Sequence, residues 1–176
     1  MTGHALRFGE GHSLTAGRDA TQDDFIRLVD RFHGDLMRLA YSMCGDPGLS
    51  EDAVQACWQK AWGSRNRIRD WDHIRGWLFT VTANEVRRQL RRRRLGEILH
   101  GRLGWSASTG DLNPHHVDLA QALQGLSLRD RQLIGMRFGL GMTSDEIAPH
   151  IGLSASGTRV RLSRVLERLR RDLDHA

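Results

Sequence analysis

Thr143-Ser-Asp-Glu-Ile-Ala-Pro-His-Ile-Gly-Leu-Ser-Ala-Ser-Gly-Thr-Arg-Val-Arg-Leu-Ser-Arg164 lies near the end of a 176-residue chain, and its reading sets the fold. Thr143 and Glu146 have the spacing of a capping box, in which two side chains satisfy the free amides of a helix start. Ile147, Ala148 and Ile151 fall on one face of the short helix that follows. Gly152 supplies the turn, because a residue without Cβ takes a left-handed conformation at little cost. Ser154 or Ser156 caps a second helix, which carries Arg159, Arg161 and Arg164. Two helices joined by a short glycine turn, the second one basic, form the helix-turn-helix pattern, and that pattern makes DNA the leading candidate partner.

The overall charge agrees with an anionic partner. Lys+Arg number 26 against 21 Asp+Glu, for a net charge of +5 and a pI of about 10.4. Charge alone leaves a basic protein without nucleic acid equally open. Almost every cation is arginine, with Lys60 the single lysine. Cys44 and Cys57 form neither a disulfide framework nor a zinc site, and both fall at apolar helical positions. A reduced cytoplasmic protein with buried thiols is expected. His115 and His116 beside Pro114 read as linker rather than metal ligands. With no glycine-rich phosphate loop, no paired carboxylates in apolar surroundings and no Cys/His cluster, no enzyme activity, metal or cofactor is expected. No apolar run reaches the length of a membrane span and no signal peptide is recognisable, so no membrane insertion is expected.

Along the chain the apolar residues recur at helical intervals throughout, and no strand-length alternation occurs. The expected fold class is all-α: two small helical domains joined by a flexible linker, the C-terminal one a helix-turn-helix. Residues 1–20, rich in Gly, Ser, Thr and His, read as a flexible tail. The first domain spans 21–94. Its first helix carries Phe25, Val29, Phe32, Leu36, Leu39, Ala40 and Met43 and ends at Gly45-Asp46-Pro47-Gly48. Ser50-Glu51-Asp52 is expected to open the second helix, with Val54, Cys57, Trp58, Ala61 and Trp62 on its apolar face. A third runs from about Ile74 to Arg94, with Ile74, Leu78, Val81, Val86 and Leu90 inward. Residues 95–115, with four glycines, read as a tether. The second domain, 116–176, holds Leu119, Ala120, Leu123 and Leu126, then a helix opened by Ser127 with Leu133, Ile134 and Phe138. It ends in a helix whose buried stripe is Leu162, Val165, Leu169 and Leu173.

Three surfaces carry chemistry. On the third helix Thr80, Asn84, Arg87, Arg88 and Arg91 share one side, and the run continues through Arg92, Arg93 and Arg94. Like charges at this density repel and need an anion to offset them, which a phosphate backbone supplies. Asn84 can hydrogen-bond a base edge. The loop from Ser64 to Gly76 holds Arg65, Arg67, Arg69, Trp71, His73 and Arg75. Basic residues interleaved with an aromatic suit single-stranded nucleic acid, whose unstacked bases rest on rings or in pockets. Trp71 is either such a surface or core, and Trp77 is expected in the core. On the last helix Ser156, Arg159, Val160 and Ser163 lie opposite the buried stripe with Arg161 and Arg164 flanking, placed to enter a major groove.

These segments resemble the extracytoplasmic-function branch of the sigma-70 family of bacterial transcription initiation factors, over roughly residues 23–94 and 117–173. Glu51-Asp-Ala-Val-Gln-Ala-Cys-Trp-Gln-Lys-Ala-Trp62 resembles the family's core-polymerase-binding helix, with Asp52, Gln55 and Trp58 on its characteristic positions and Gln59 beside them. Ile74-Arg-Gly-Trp-Leu-Phe-Thr-Val-Thr-Ala-Asn84 resembles the promoter-melting segment, and Asn84 falls on its near-constant asparagine. The C-terminal helix pair resembles the domain that reads the −35 element. Three departures stand out: Ala56 where an acid is usual, Arg88 where an aspartate is common, and Thr158 where the recognition helix usually has an apolar residue.

The resemblance implies a factor that binds the β′ and β subunits of core RNA polymerase and confers promoter specificity. It would capture an unstacked −10 base with Arg67, Trp71, Thr80, Asn84, Arg87, Arg88 and Arg91. It would read the −35 element with Ser156, Arg159, Val160, Arg161, Ser163 and Arg164. The resemblance also implies an anti-sigma factor as regulator. Two other classes fit parts of the pattern: a helix-turn-helix regulator acting without polymerase, and an adaptor that binds polymerase or an anti-sigma protein and never melts DNA.

Overall fold

The computed structural model describes residues 22–65, 74–99, 119 and 121–174, and among them every regular element is helical. Helix α1 (Gln22–Cys44) begins with Asp23 and Asp24 in its first turn, where the helix dipole favours anions. Gly45 ends it at φ 68°. Asp46 then caps α2 (Pro47–Ser64): its Oδ1 accepts the Leu49 amide at 3.0 Å, and Pro47 sits where a missing N–H costs nothing. Helix α2 therefore starts before the expected Ser50, and no acid lies in its first turn. The stretch that reads as a helix breaker ends one helix and caps the next. Ser50 is buried, its hydroxyl donating to the Asp46 carbonyl at 2.7 Å.

Helix α3 (Ile74–Leu99) runs beyond the expected end at Arg94. Leu36, Leu39, Met43, Val54, Cys57, Ala61, Leu78 and Phe79 are fully enclosed between the three helices. Each large aliphatic side chain buried in this way contributes about 1.5–3 kcal/mol. Trp77, expected in the core, is 39% exposed. The inward stripe of α3 passes through Ile74, Leu78, Phe79, Ala83, Val86 and Leu90, and Trp77 stands beside it, about a quarter-turn from Leu78. Trp62 is equally exposed; it packs edge-on to Phe25 at 4.9 Å, with the Arg65 guanidinium 4.3 Å above its ring.

In the second domain Ser127 caps α4 (Leu128–Ile134), which widens into a π-turn over Gly135–Gly139. Phe138, expected to pack inward, is 61% exposed on that turn, because widening the helix shifts the 3.6-residue stripe. Helix α5 (Ser144–Ile151) opens with the capping box: the Glu146 amide donates to Thr143 Oγ1 at 3.3 Å, and the Thr143 amide donates to Glu146 Oε2 at 2.7 Å. Gly152 ends it at φ 62°. Ser154 is the cap of α6 (Ala155–Asp174), accepting the Gly157 amide at 3.1 Å. Leu133, Met136, Ile147, Ile151, Val165 and Leu169 close this core. Leu173, expected in the buried stripe, is 39% exposed at the fraying end.

The two sets of helices pack against each other, and their buried residues form one continuous apolar cluster. The π-turn and α4 lie on α1, and α5 lies on the start of α3. Arg131 Nη1 donates to the Met43 carbonyl at 2.8 Å. Arg87 donates to Gln132 Oε1 across the same seam. His150 meets α3 edge-on at Phe79, with ring centroids 6.2 Å apart, and its Nδ1 lies 3.2 Å from Thr80 Oγ1.

Candidate nucleic-acid interface

Helix α6 has a buried side and an exposed side. Thr158, Val165 and Leu169 are buried beneath it, and Ser156, Arg159, Val160, Ser163 and Arg164 are exposed above. Thr158 fills an apolar position because its hydroxyl is satisfied within the helix, donating to the Ser154 carbonyl at 2.9 Å. Arg161 is less available: its Nε donates to Asp130 Oδ1 at 2.7 Å, which ties α6 to α4. Arg159 makes a loose contact of 3.5 Å with Asp145, and both side chains are mostly exposed. A groove of about 640 Å³ runs beside this face, floored by Leu126, Leu153, Val160 and Val165 and edged by Arg164 and Arg168. An apolar floor with arginines at its rim can take the edge of a nucleotide stack and grip its phosphates.

Helix α3 carries the second face. Thr80, Asn84 and Arg91 are exposed. Arg87 is half-buried, bonded to Asn84 Oδ1 at 2.9 Å and to Gln132. Burial, followed by the charges of Arg129 and Arg91, draws its pKa below the ordinary arginine value. Arg88 is turned toward the carboxylate of Glu85, with Nε 2.8 Å from Oε2. Thr80, Asn84, Arg87 and Arg91 thus share one edge, and Gln132 and His150 of the second domain overlap part of it. Arg67 and Trp71 lie outside the described residues.

On α2, Asp52, Gln55 and Gln59 are exposed along one side. Trp58 is partly buried beside them, its Nε1 donating to His33 Nδ1 at 3.3 Å and its ring edge-on to Phe25 at 5.8 Å. The two cysteines are buried and unpaired with each other. Among the described residues, no group of His, Cys, Asp and Glu side chains has the geometry of a metal site. No helix among them is long and apolar enough to cross a membrane.

Two family models match the chain: Sigma-70 region 2 over residues 11–95 and Sigma-70 region 4 over residues 122–171. The chain is 31% identical over 169 residues to the RNA polymerase sigma factor CarQ of Myxococcus xanthus, covering 93% of this chain and 92% of that one. The chain belongs to the extracytoplasmic-function branch of the sigma-70 family and is a sigma factor. A second relative, the ECF RNA polymerase sigma factor SigL of Mycobacterium tuberculosis, is 29% identical over 164 residues, covering 88% of this chain and 92% of that one.

Two solved structures share the arrangement. One is the sigma factor RpoE in complex with the anti-sigma factor NepR from Bartonella quintana, with TM-score 0.70 and 27% identity, covering 86% of this chain and 98% of that one. The other is CnrH in complex with the cytosolic domain of CnrY, with TM-score 0.67 and 26% identity, covering 88% and 90%. The sigma factor directs promoter-specific initiation by RNA polymerase, and two sigma domains in one chain do not favour a helix-turn-helix regulator acting without polymerase.

Several residues at the site escape the sequence pattern. Glu85 carries a signal, since a carboxylate three residues before Arg88 is a helical ion-pair spacing. Gln132, Gly135 and His150 carry none, because each acts on the other domain.

Proposed function

We propose a division of labour among three faces. The exposed side of α2, with Asp52, Gln55 and Gln59 and the partly buried Trp58, docks on the β′ subunit of core polymerase, and the second domain adds contacts to β. The edge of α3, with Thr80, Asn84, Arg87 and Arg91 and with Arg88 held beside it by Glu85, captures an unstacked base of the −10 element together with Arg67 and Trp71. A flipped base costs a few kcal/mol of unstacking, which a preformed pocket offsets. Helix α6 reads the −35 duplex through Ser156, Arg159, Val160, Ser163 and Arg164, with Arg161 held at the edge by Asp130. The division runs as residues 21–94 for polymerase and the −10 element and 116–176 for the −35 element, joined by 95–115 and preceded by the tail 1–20. One solved neighbour is bound by the anti-sigma factor NepR and the other by the cytosolic domain of CnrY, and an anti-sigma regulator in the cytoplasm fits this factor.

The observation that carries the reading is the outer face of α6. Five of its six candidate side chains stand exposed above a buried Thr158–Val165–Leu169 stripe. Reconstituted transcription tests it. Core polymerase with this factor should start transcripts at a promoter selected from random-sequence DNA. Arg159→Ala with Arg164→Ala should lower −35 recognition and spare polymerase affinity. Asp52→Ala with Gln55→Ala should do the reverse. Loss of both activities in either pair would refute separate faces.

A further inference from the structure

Glu85 follows Asn84 on α3 but turns away from the cationic edge toward α2, and its side chain is only 2% exposed. Lys60 of α2 reaches its Oε1. Arg88, one turn further along α3, reaches Oε2 through Nη2 and through Nε at 2.8 Å. A lone buried carboxylate is costly unless it is paired and hydrogen-bonded, and two cations do that here. Burial pushes the carboxyl upward, but the bonds from Lys60 and Arg88 outweigh it and leave it below the usual range, so it is ionised at neutral pH. Next to it the Cys57 thiol, pushed up to about 11 by burial, adds no charge. Arg88 therefore differs from its neighbour. Among the described residues Arg87 bonds the neutral groups Asn84 and Gln132, with no carboxylate against it. Arg88 turns two of its donors toward an anion of its own chain.

We propose that Glu85 is a positioning residue for −10 recognition: it draws the Arg88 guanidinium toward the α2 side and offsets part of its charge, so that the opened strand's phosphates meet Arg87 and Arg91 while Asn84 faces the base. Its second arm, to Lys60, fixes the reading helix in register on α2, whose Gln59 is the neighbour of Lys60 and lies on the polymerase-docking side. An unpaired Arg88 would compete for the same phosphates and bind the strand regardless of sequence. This inference rests on the reading of the α3 edge as the −10 interface.

The test is the salt dependence of holoenzyme binding to promoter DNA selected by that holoenzyme and pre-opened over the −10 element. Glu85→Gln keeps the side chain's shape and frees Arg88. It should steepen the log–log salt slope by about 0.7, the single-strand value for one phosphate, which is roughly a 2- to 3-fold larger loss of affinity between 50 and 200 mM salt. The charge-neutral double variant Glu85→Gln/Arg88→Gln should return to the parent slope. Arg88→Gln alone, which leaves Lys60 on the Glu85 carboxylate, should lower the slope by less than half the drop caused by Arg91→Gln.

An unchanged slope in Glu85→Gln, or equal drops for Arg88→Gln and Arg91→Gln, overturns the inference, because a merely structural Glu85 would leave Arg88 counting as an ordinary phosphate contact. If Arg87→Gln and Arg91→Gln also leave the slope untouched, the α3 edge is not the −10 interface and the underlying reading fails with it.

Discussion

A Cβ placed on Gly135 would stand 1.9 Å from the Ser42 hydroxyl oxygen and 2.8 Å from Ser42 Cβ. The π-turn meets α1 here, and only the absence of a side chain permits it. The Gln132 contact to Arg87 and the His150 contact to Thr80 belong to the same seam. The packed form thus covers part of the α3 edge proposed for the −10 element, and that edge meets DNA only if the seam parts.

Gly135→Ala should pry the seam open, since neither Ser42 Cβ nor the helix backbone can yield by the distance required. The expected loss is about 1–3 kcal/mol, the usual cost of overpacking. Energy transfer between labels on α2 and α6 should report a longer mean distance, with circular dichroism unchanged. An unaltered distance would mean that the helices slide to absorb a methyl group.

Acidification should open the same seam. Burial, and secondarily the charge of Arg75, draws the His150 pKa below the ordinary histidine value of 6.5. The closed form therefore binds fewer protons than the open one, and its stability rises with pH. Closure is fully supported above about pH 6.5 and is lost as pH falls through the depressed value. The inter-label distance should grow over that window, and His150→Asn should flatten the response. A flat response in the parent would assign the seam to its other contacts.

Thr143→Ala should destabilise the second domain by about 1 kcal/mol, the usual worth of a helix cap. The Thr143 amide and hydroxyl draw the Glu146 carboxyl below its ordinary value. The cap's contribution is present above the ordinary carboxylate range and falls away as pH drops through the lowered one. Urea melts at pH 7 and pH 3.5 should show a mutant-to-parent gap at the first and a smaller gap at the second.

Cys57 should resist alkylation. Burial pushes its thiol up to about 11, and its Sγ contacts the Leu78 carbonyl at 3.6 Å. Iodoacetamide at pH 8 should label it only at the rate at which α2 and α3 separate, and urea should speed labelling sharply. Rapid labelling of the native protein would show that the packing of these helices is looser than described.

Local chemistry was legible where both partners lie within one turn of each other. The Thr143–Glu146 box, the Gly152 turn and the Ser127 cap appear where their spacing places them. So do the apolar stripes of α1 and most of α3, because a helix of known period buries whichever face is apolar. The errors have physical causes of the same scale. Asp46-Pro47 serves as a cap where a breaker was expected, and the π-turn rotates Phe138 out of the stripe.

Helix periodicity, capping chemistry and the order of the motifs sufficed for the all-α class, the two domains and the family, since all of these depend on neighbours a few residues apart. The pairing of Glu85 with Lys60, the overlap of Arg87 by Gln132 and the fit of Gly135 on Ser42 depend on residues 25, 45 and 93 positions apart. No local preference brings such pairs together. They meet because burying one continuous apolar cluster selects how the helices dock, and that docking then chooses which arginines remain available to DNA.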